Sequence, residues 1–229
     1  MTTTRKKFQP GDYKRVVGFL RELYRDYAQQ GDVPYWLPQR WEYAEYLVCP
    51  LHKDRGIIPD WKETVHYWED DQGELVALIC SETPDEQIFI LTRPDYRYLE
   101  AEMIEFAEAE IVPHIVQKKE LKVWARDNDQ QLQALLTGHG YAMCPEVEYL
   151  NWIDLKADLP GFELPEGYLM HDMVNEEGLD LQKKIDSMTA AFESKTYPAA
   201  IYRDMQKGPS YRKEYDLYTT DQNGVVCSF

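Results

Sequence analysis

A strand pattern followed directly by a helix pattern stands near the middle of the chain, within residues 86–112. Residues 88–91 form a short apolar run of strand length. After a break at residues 93–95, apolar side chains recur at helical spacing from Leu99 to Phe106. A strand that feeds a helix through a tight turn is where α/β proteins hold anions, because amide N–H groups are free at a helix start. The pattern therefore predicts an α/β fold with a candidate anion site at this turn.

The patterns on either side predict the rest of a mixed sheet with flanking helices. The turn Asp70-Asp71-Gln72-Gly73 is a hairpin signal between two strands. Together the elements predict one domain over residues 5–155, in the order βααββαβαββ. In chain order they are a strand at 6–9, a helix capped by Asp12 and closed by Gly31, a helix at 38–48, strands at 64–69 and 74–82, the central strand and helix, a strand at 120–125, a helix at 128–137, and strands at 141–144 and 147–155.

The pattern restarts after a linker, rich in Pro and Gly, at residues 156–167. Strand, helix, helix and hairpin patterns then recur within residues 168–229, and the turn ending at Gly224 matches the one ending at Gly73, about 150 residues earlier. We therefore predict a divergent tandem repeat. Residues 168–229 would form the front part, βααββ, of a second copy that lacks the later strands and helices of the first.

Composition and charge narrow the function classes. With 229 residues, 44% hydrophobic and 13% aromatic, the chain is expected to be a globular protein of one or two domains. The net charge of −16 disfavours nucleic acid and membrane as partners, since both would be repelled. This charge serves either solubility or attraction of a cationic amine. The chain start lacks the apolar region of a signal peptide and no apolar run is long enough to span a bilayer, so we expect a cytoplasmic protein.

The four cysteines, Cys49, Cys80, Cys144 and Cys227, are scattered without metal-ligand spacing. We predict that they are buried free thiols in a reducing compartment. Cys49 and His52 could be two metal ligands, but no second pair accompanies them in the sequence. We therefore expect no metal site.

Residues 92–97 read Thr-Arg-Pro-Asp-Tyr-Arg. This run resembles the front half of the signature V-x-P-x-Y-R-x-x-G-x-G/A of the GNAT N-acetyltransferase superfamily, which ends the fourth strand of that fold. The resemblance implies an α/β, GNAT-like acyl-CoA N-acyltransferase fold with a mixed central sheet. It also implies acetyl-CoA as cofactor and a small-molecule amine as acceptor. Ile90, Leu91 and Thr92 would hold the pantetheine arm, and Arg97 the pyrophosphate.

A second segment, aligned on Gly140-Tyr141, resembles the family pattern N-x-x-A-x-x-L-Y-x-x-x-G-F. The pattern places its Asn on Asp129, one position past Asn128. Asn128 is therefore the remaining candidate contact to the cofactor. The pattern places the Tyr that often acts as general acid on Leu136, and a leucine can neither donate nor accept a proton. No catalytic residue is therefore assigned.

The two glycine positions of the signature fall on Glu100 and Glu102. Glycine lets the backbone approach a phosphate closely, whereas a carboxylate there would repel pyrophosphate. Alternatively, both are ordinary acidic residues of a first helical turn, where they favour the helix dipole. On either interpretation the domain is a degenerate GNAT domain.

Aromatic residues cluster around the first two predicted helices. In the GNAT architecture this region resembles one wall of the acceptor groove, and aromatic rings beside acidic groups could hold a cationic amine. Alternatively they pack the helices onto the sheet. They are Tyr35, Trp36, Trp41, Tyr43 and Tyr46.

Two function classes stay open from the sequence. One is a GNAT-family N-acetyltransferase whose complete first domain is inactive. The other is a non-catalytic GNAT-like module that binds a partner or a small ligand. A homo-oligomer formed through the incomplete second domain is a further expectation, because a partial sheet leaves an edge and an apolar face uncovered.

Overall fold

The computed structural model describes residues 2–34, 36–56, 61–81, 87–111, 120–149, 151, 153–154, 156, 158 and 161–229. The chain divides into two compact units. Unit 1 comprises Met1–His139 and Asp204–Ser210, and unit 2 comprises Gly140–Arg203 and Tyr211–Phe229. The domain boundaries expected from the sequence, 5–155 and 168–229, stay a prediction.

The elements of unit 1 follow the predicted order as far as the last helix, except that the helix predicted at 38–48 continues through a π-helical turn into a further α-helix at Cys49–Asp54. A 3₁₀-helix at Pro94–Leu99 leads into α4, and π-helical turns at Ala44–Val48 and Ala107–Ile111 follow α2 and α4. The strands and α-helices are β1 (Thr4–Lys7), α1 (Tyr13–Gln29), α2 (Pro38–Tyr43), α3 (Cys49–Asp54), β2 (His66–Glu69), β3 (Leu75–Cys80), β4 (Gln87–Thr92), α4 (Glu100–Phe106), β5 (Lys122–Val123) and α5 (Gln130–Gly138).

A five-stranded mixed sheet in the order β1-β2-β3-β4-β5 forms the centre of unit 1. Its first four strands pair antiparallel, whereas β4 and β5 are parallel. β3 is buried along its whole length because both faces of the sheet are covered. Leu78 packs with Leu20 of α1 on one face, and Ile79 packs with Met103 of α4 on the other. An entirely apolar strand is what such a central position requires.

The chain enters α1 through a 3₁₀-turn at Pro10–Asp12. Asp12 occupies the N-cap position of α1, as predicted, but its side chain makes no hydrogen bond to the first turn of that helix. Its Oδ2 accepts hydrogen bonds from Gln9 N–H (2.9 Å) and Tyr67 Oη (3.2 Å) instead. The predicted end is close to the observed one: Gly31 follows α1 with φ 73°, a left-handed conformation that favours glycine.

The tryptophans of the aromatic cluster belong to the core of unit 1. Trp36 and Trp41 are fully buried, and Trp41 lies 4.7 Å from Trp61 and 5.4 Å from Phe8, between ring centroids. This arrangement supports packing onto the sheet rather than a groove wall for these two side chains. Tyr35 lies outside the described residues.

Unit 2 contains a smaller antiparallel sheet in the order β6-β7-β8. The first helix predicted in this region begins at residue 181, because Gly178 turns with φ 82° and the Asp180 side chain accepts from Gln182 N–H (3.1 Å), capping the helix there. The elements are β6 (Leu169–Asp172), α6 (Leu181–Ala191), α7 (Ala199–Met205, which ends in unit 1), β7 (Leu217–Thr220) and β8 (Val226–Ser228).

The hairpins of the two units have the same turn. Asp70 Oδ1 accepts from the N–H groups two and four residues later, at 3.0 and 2.9 Å, and Asp221 Oδ1 does the same at 2.8 and 2.8 Å. The third residue after each aspartate is a glycine with positive φ, Gly73 and Gly224. Both hairpins also carry a register shift one residue before the turn aspartate.

The pairing of the first strand continues in the same way in both units. Beyond β1, Phe8 N–H donates to Val65 O at 3.1 Å, and beyond β6, Met173 N–H donates to Asp216 O at 3.1 Å. Phe8 and Met173 are both buried. In both units, therefore, the first strand pairs in the same way with the first strand of the hairpin, and the pairing extends by one residue beyond the first strand. The hairpin turn also has the same geometry in both.

The two strands predicted at residues 141–144 and 147–155 are wrong for the described part of that segment, which carries no strand. Met143 is 92% exposed and Tyr149 is 83% exposed, so the alternating side chains have no sheet to pack on. The adjacent strand, β5, has two residues in its ladder with β4 and offers little edge for a further strand. Residues 150, 152 and 155 lie outside the described residues.

The prediction of buried cysteines is half wrong. All four are free, but only Cys80 is buried; Cys49 is intermediate, and Cys144 and Cys227 are exposed. Cys144 is the last residue of the strand that was predicted at 141–144 and is not observed, and Cys227 lies on the last strand of the small sheet. In the described part of the chain no helix is long and apolar enough to cross a membrane.

Candidate functional site

The two parallel strands of unit 1 separate soon after they meet. Their ladder covers Gln87 and Ile88 opposite Lys122 and Val123, and one further bond joins Trp124 N–H to Ile88 O at 3.3 Å. β4 itself runs on to residue 92 in register with β3. The separation therefore opens a cleft beside the second half of β4.

The register of β4 decides which main-chain groups face this cleft. Arg93 N–H donates to Val76 O at 2.9 Å, so in this antiparallel ladder Arg93 and Leu91 direct their main-chain groups toward β3. Ile90 and Thr92 alternate with them and direct theirs toward the β5 side. Of the three predicted pantetheine contacts, two therefore offer main-chain groups to the cleft.

The cleft is small. It measures about 40 Å³, room for water but far below the roughly 300–1,000 Å³ of a ligand pocket. Its lining combines apolar side chains with three charged ones. The lining residues are Leu23, Tyr27, Pro34, Ile90, Leu91, Thr92, Glu100, Trp124, Arg126, Asp129 and Leu132.

Arg97 lies beside the cleft and is held by two carboxylates. Its Nε and Nη2 donate to the two oxygens of Glu100 at 2.7 and 3.2 Å, and Nη2 also donates to Asp129 Oδ1 at 2.6 Å. Burial alone lowers the pKa of the Arg97 guanidinium, but these hydrogen bonds outweigh it and raise the pKa above its ordinary value. The guanidinium is therefore a firmly charged group whose donors point at protein acceptors.

Both carboxylates have further partners. Glu100, which is 3% exposed, also accepts from Thr92 Oγ1 at 3.2 Å. Asp129 caps α5 by accepting from Leu132 N–H at 3.1 Å, and it lies 3.8 Å from Arg126 Nη2. These bonds fix each carboxylate in the position where it meets Arg97.

The charges at this site do not favour an anion. Arg126 also pairs with Asp32, so among the described side chains two guanidinium groups meet three carboxylates: Glu100, Asp129 and Asp32. The local balance is one negative charge (2 − 3 = −1). A diphosphate would have to displace Glu100 and Asp129 from Arg97 and approach a site that is already negative. The residues present do not fit the pyrophosphate of a CoA cofactor.

A phenol hydroxyl lies in the cleft. Tyr27 Oη donates weakly to Thr92 O at 3.4 Å, and the Arg126 guanidinium lies 4.8 Å from the ring centroid. Burial raises the pKa of Tyr27, so the phenol stays protonated at neutral pH. Leu136, at the position of the family's general acid, is buried and has no titratable group.

The other predicted positions lie outside the cleft. Asn128 is in the turn before α5, where its main-chain O accepts from Gln130 N–H at 3.1 Å. Glu102 is exposed and accepts from Trp68 Nε1 at 2.7 Å. The two acids at the signature glycines therefore differ: Glu100 occupies the candidate site and Glu102 does not.

The sequence interpretation missed several residues that line or support the cleft. They are Tyr27, Asp32, Trp124, Arg126 and Asp129. For Asp129 a signal existed, because the family pattern placed its Asn there. No group of three metal-ligating side chains occurs among the residues that the structure describes.

No protein-family model and no curated protein matches the sequence. Among solved structures, the chain is similar to a GCN5-related N-acetyltransferase from Sphaerobacter thermophilus, with a TM-score of 0.56 and 16% sequence identity over 98% of this chain and 69% of that chain. An aminoglycoside antibiotic 6'-N-acetyltransferase from Acinetobacter baumannii matches at a TM-score of 0.36 and 11% identity over 67% and 99% of the two chains, too weakly to support a conclusion. The splayed parallel strands, the strand order and the first of these matches together show that the chain has a GNAT-like fold.

Proposed function

We propose that this protein is of the GNAT N-acetyltransferase type, which transfers an acetyl group from acetyl-CoA to an amine, and that unit 1 is its non-catalytic half. One observation carries the proposal about unit 1: Glu100 and Asp129 occupy both sides of the Arg97 guanidinium where the cofactor's pyrophosphate would be expected. The fold supports the family-level function, and the site chemistry argues against catalysis in unit 1.

We further propose that unit 2 is the front part of a second GNAT-like domain. The matched turns of Asp70 and Asp221 and the matched pairing of Phe8 and Met173 support common ancestry of the two units. Acetyl transfer would then depend on a domain of this second kind. The net charge of −16 suits a small cationic amine as the acceptor.

A second candidate is a non-catalytic GNAT-like module that binds a partner or a small ligand. The ion pairs of Arg97 with Glu100 and Asp129 favour this second candidate, because they stabilise the region where β4 and β5 separate without any cofactor. The two candidates differ in whether the protein turns over acetyl-CoA. Release of free CoA thiol from acetyl-CoA in the presence of a panel of polyamines and amino sugars distinguishes them, and turnover supports the enzyme.

The non-catalytic role of unit 1 is tested by removing its carboxylates. In the Glu100→Gly, Asp129→Asn double variant, Arg97 loses both anionic partners, while the introduced asparagine can still accept from Leu132 N–H and cap α5. We expect the wild type to show no thermal shift with CoA and the double variant to gain one. Ligand at 100 times its Kd stabilises by about 2.7 kcal/mol.

Glu102→Gln is the matched control, since it removes a nearby acid outside the cleft and leaves an acceptor for Trp68. This variant should behave like the wild type. A thermal shift of the wild type with CoA that disappears in Arg97→Gln would contradict the proposal. A double variant that folds normally but shows no thermal shift with CoA would also contradict it.

A further inference from the structure

Glu42 of α2 is a buried carboxylate that has no counter-ion among the residues that the structure describes. It is 6% exposed, and both of its oxygens accept hydrogen bonds from one residue, Ser210. The Ser210 N–H donates to Oε2 at 2.8 Å, and Ser210 Oγ donates to Oε1 at 2.9 Å. The nearby Glu45, by contrast, pairs with Lys62 Nζ at 2.8 Å. Because a buried charge is costly unless it is paired, an unpaired buried carboxylate is a candidate binding group.

Ser210 ends a short segment, Asp204–Ser210, that belongs to unit 1 although the chain on either side of it belongs to unit 2. We call this segment the strap. It lies directly against the carboxylate, since a Cβ added at Gly208 would be 3.5 Å from Glu42 Oε2 and 3.6 Å from Tyr46 Cδ2. The strap leaves no room for a ligand above the carboxylate. Any ligand of Glu42 therefore has to take the place of Ser210.

The two donors of Ser210 define the chemistry that Glu42 accepts. The atoms N, Cα, Cβ and Oγ form an N–C–C–O unit, and both ends of this unit donate to the same carboxylate. A small molecule with an amine and a hydroxyl on neighbouring carbons contains the same unit. Its nitrogen is an ammonium group at neutral pH. Such a molecule would make both hydrogen bonds and also supply the counter-ion that the buried carboxylate lacks.

The groups around Glu42 suit a cation. The rings of Tyr13 and Tyr46 have centroids 6.3 Å apart, and cations are attracted to the faces of such rings. Burial, followed by the charge of Glu42, raises the pKa of Tyr13, so its phenol stays protonated at neutral pH. Among the described side chains of this cluster, one cation, Lys62, meets two carboxylates, Glu42 and Glu45. The local balance is therefore one negative charge (1 − 2 = −1).

We propose that Glu42 binds amino alcohols with the amine and hydroxyl on neighbouring carbons, and that Ser210 occupies the site in their absence, so that binding releases the strap. The site is separate from the cleft beside Arg97. Tyr13, near Glu42, and Tyr27, in the cleft, are 14 residues apart on α1 (27 − 13 = 14). At the helical rise of 1.5 Å per residue this separation is about 21 Å. The inference uses no residue of the cleft and no cofactor, so it can fail while the proposed function holds, and the reverse is equally true.

The test measures binding of ethanolamine to the full chain by NMR titration, together with hydrogen exchange of the strap. Ethylamine, which lacks the hydroxyl, and ethylene glycol, which lacks the charge, are the comparison ligands. We expect ethanolamine to bind about tenfold more tightly than either, because each comparison ligand loses one hydrogen bond or the charge. Ethanolamine should also speed hydrogen exchange in residues 204–210, because it displaces Ser210.

Variants at both ends of the contact separate the site from the strap. Ser210→Ala removes one of the two hydrogen bonds that compete with the ligand and should tighten ethanolamine binding about tenfold. Ser210→Thr keeps both donors and should bind like the wild type. Glu42→Gln removes the charge at nearly constant size and should weaken binding about tenfold or more. Glu22→Gln, which removes an exposed acid paired with Arg93, should have no effect.

A circular dichroism melt verifies that each variant is folded. The proposal is overturned if neither the wild type nor Ser210→Ala binds ethanolamine. Binding that is unchanged in a folded Glu42→Gln also overturns it, because that result places the site elsewhere. Ethylamine binding as tight as that of ethanolamine would show that charge alone is recognised, and unchanged exchange of the strap on binding would show that Ser210 is not displaced; either result contradicts the proposal.

Discussion

The two units share one strand and turn framework but differ at a buried position beside the first strand. In unit 1, Phe8 pairs with Val65, which is buried and apolar. In unit 2 the corresponding pairing joins Met173 and Asp216, and Asp216 forms an ion pair with Lys184 of α6. An apolar valine in one unit thus corresponds to an aspartate with a buried lysine partner in the other.

The charged pair of unit 2 is extensively satisfied. Lys184 is 1% exposed and pairs with Asp216. The hydroxyl of Tyr202 donates to the two Asp216 oxygens at 2.9 and 2.8 Å, and Tyr211 Oη donates at 2.6 Å. Burial, followed by the charge of Asp216, raises the pKa of Tyr202, which therefore remains a donor.

The same backbone framework therefore forms around an apolar side chain or around a buried ion pair, but the two differ in how much stability a single substitution removes. An apolar core loses stability in proportion to the atoms that are removed. A buried ion pair adds little net stability, because desolvation offsets the attraction, yet it is costly to break from one side. The stability of unit 2 should therefore be more sensitive to a substitution that removes one member of its buried ion pair than the stability of unit 1 is to the loss of one apolar side chain.

The largest expected effect follows from breaking the pair. Asp216→Ala leaves Lys184 buried without its counter-ion and removes the acceptor of two tyrosine hydroxyls, so we expect a loss of about 3–5 kcal/mol in the free energy of unfolding of unit 2. Hydrogen exchange measured by mass spectrometry should show faster exchange in α6 and little change in α1. Equal acceleration in both helices would contradict this localisation.

The control replaces the charged pair with apolar residues. Asp216→Val introduces the residue found in unit 1, Lys184→Met keeps a long unbranched side chain without the charge, and Tyr202→Phe with Tyr211→Phe removes the two hydroxyls that donate to Asp216. Such replacements of buried ion pairs are often neutral or stabilising, by about 1–4 kcal/mol. If the fourfold variant is as unstable as Asp216→Ala, the framework of unit 2 depends on the network itself and the comparison with unit 1 fails.

The predictions from sequence succeeded where the signal is local. The turn at Asp70 and its counterpart at Asp221 follow from an aspartate three residues before a glycine. The strand predicted at 74–82 after the first of these turns is observed at Leu75–Cys80. The two strands predicted after α5 are not observed, because alternating apolar and polar residues show only that a segment is compatible with a strand. Whether it pairs depends on a neighbouring edge, and β5 supplies almost none.

The candidate site was predictable in part for the same reason. The resemblance identified Arg97 and placed an acid at Glu100, both adjacent in sequence. It could not show that Asp129 reaches Arg97 from another element 32 residues away, because that contact is made through space. Nor could a pattern separate Glu100 from Glu102, since the side on which each faces depends on how α4 packs against the sheet.

A moderate effect is expected at Glu69, whose counterpart in unit 2 is Thr220 by position before the turn. Glu69 is buried and pairs with Lys6 and Arg15. Burial alone would raise the pKa of Glu69, but the hydrogen bonds from these two cations outweigh it and hold the pKa below its usual value. The resulting stabilisation is present above the unfolded-state pKa near 4.3 and is lost as the pH falls through the lower folded-state pKa.

Glu69→Gln should therefore lower the free energy of unfolding of unit 1 at pH 7 by about 1 kcal/mol or less, since both cations are partly exposed. It should also flatten the dependence of stability on pH below about 4.3. Urea unfolding at several pH values measures both. Thr220→Val is the matched variant in unit 2 and should leave the acid dependence unchanged; a similar flattening there would mean that Glu69 is not its source.

The smallest expected effects test the shared turn itself. Hydrogen bonds from the main-chain N–H groups of Glu74 and Val225 lead the causes that lower the pKa values of Asp70 and Asp221, respectively. Both carboxylates therefore stabilise their turns when ionised, and this contribution is lost as the pH falls through the lowered pKa. Asp70→Ala and Asp221→Ala should each speed hydrogen exchange in their own hairpin, to a similar extent, because the two aspartates accept the same main-chain hydrogen bonds and each accepts one further bond from a side chain, Tyr96 or Asn223. Asp70→Asn and Asp221→Asn keep one acceptor oxygen and should have weaker effects that no longer vary with pH.

If one hairpin responds strongly and the other does not respond, the two turns are alike in geometry but not in the stability they provide, and their likeness would no longer argue for a common origin.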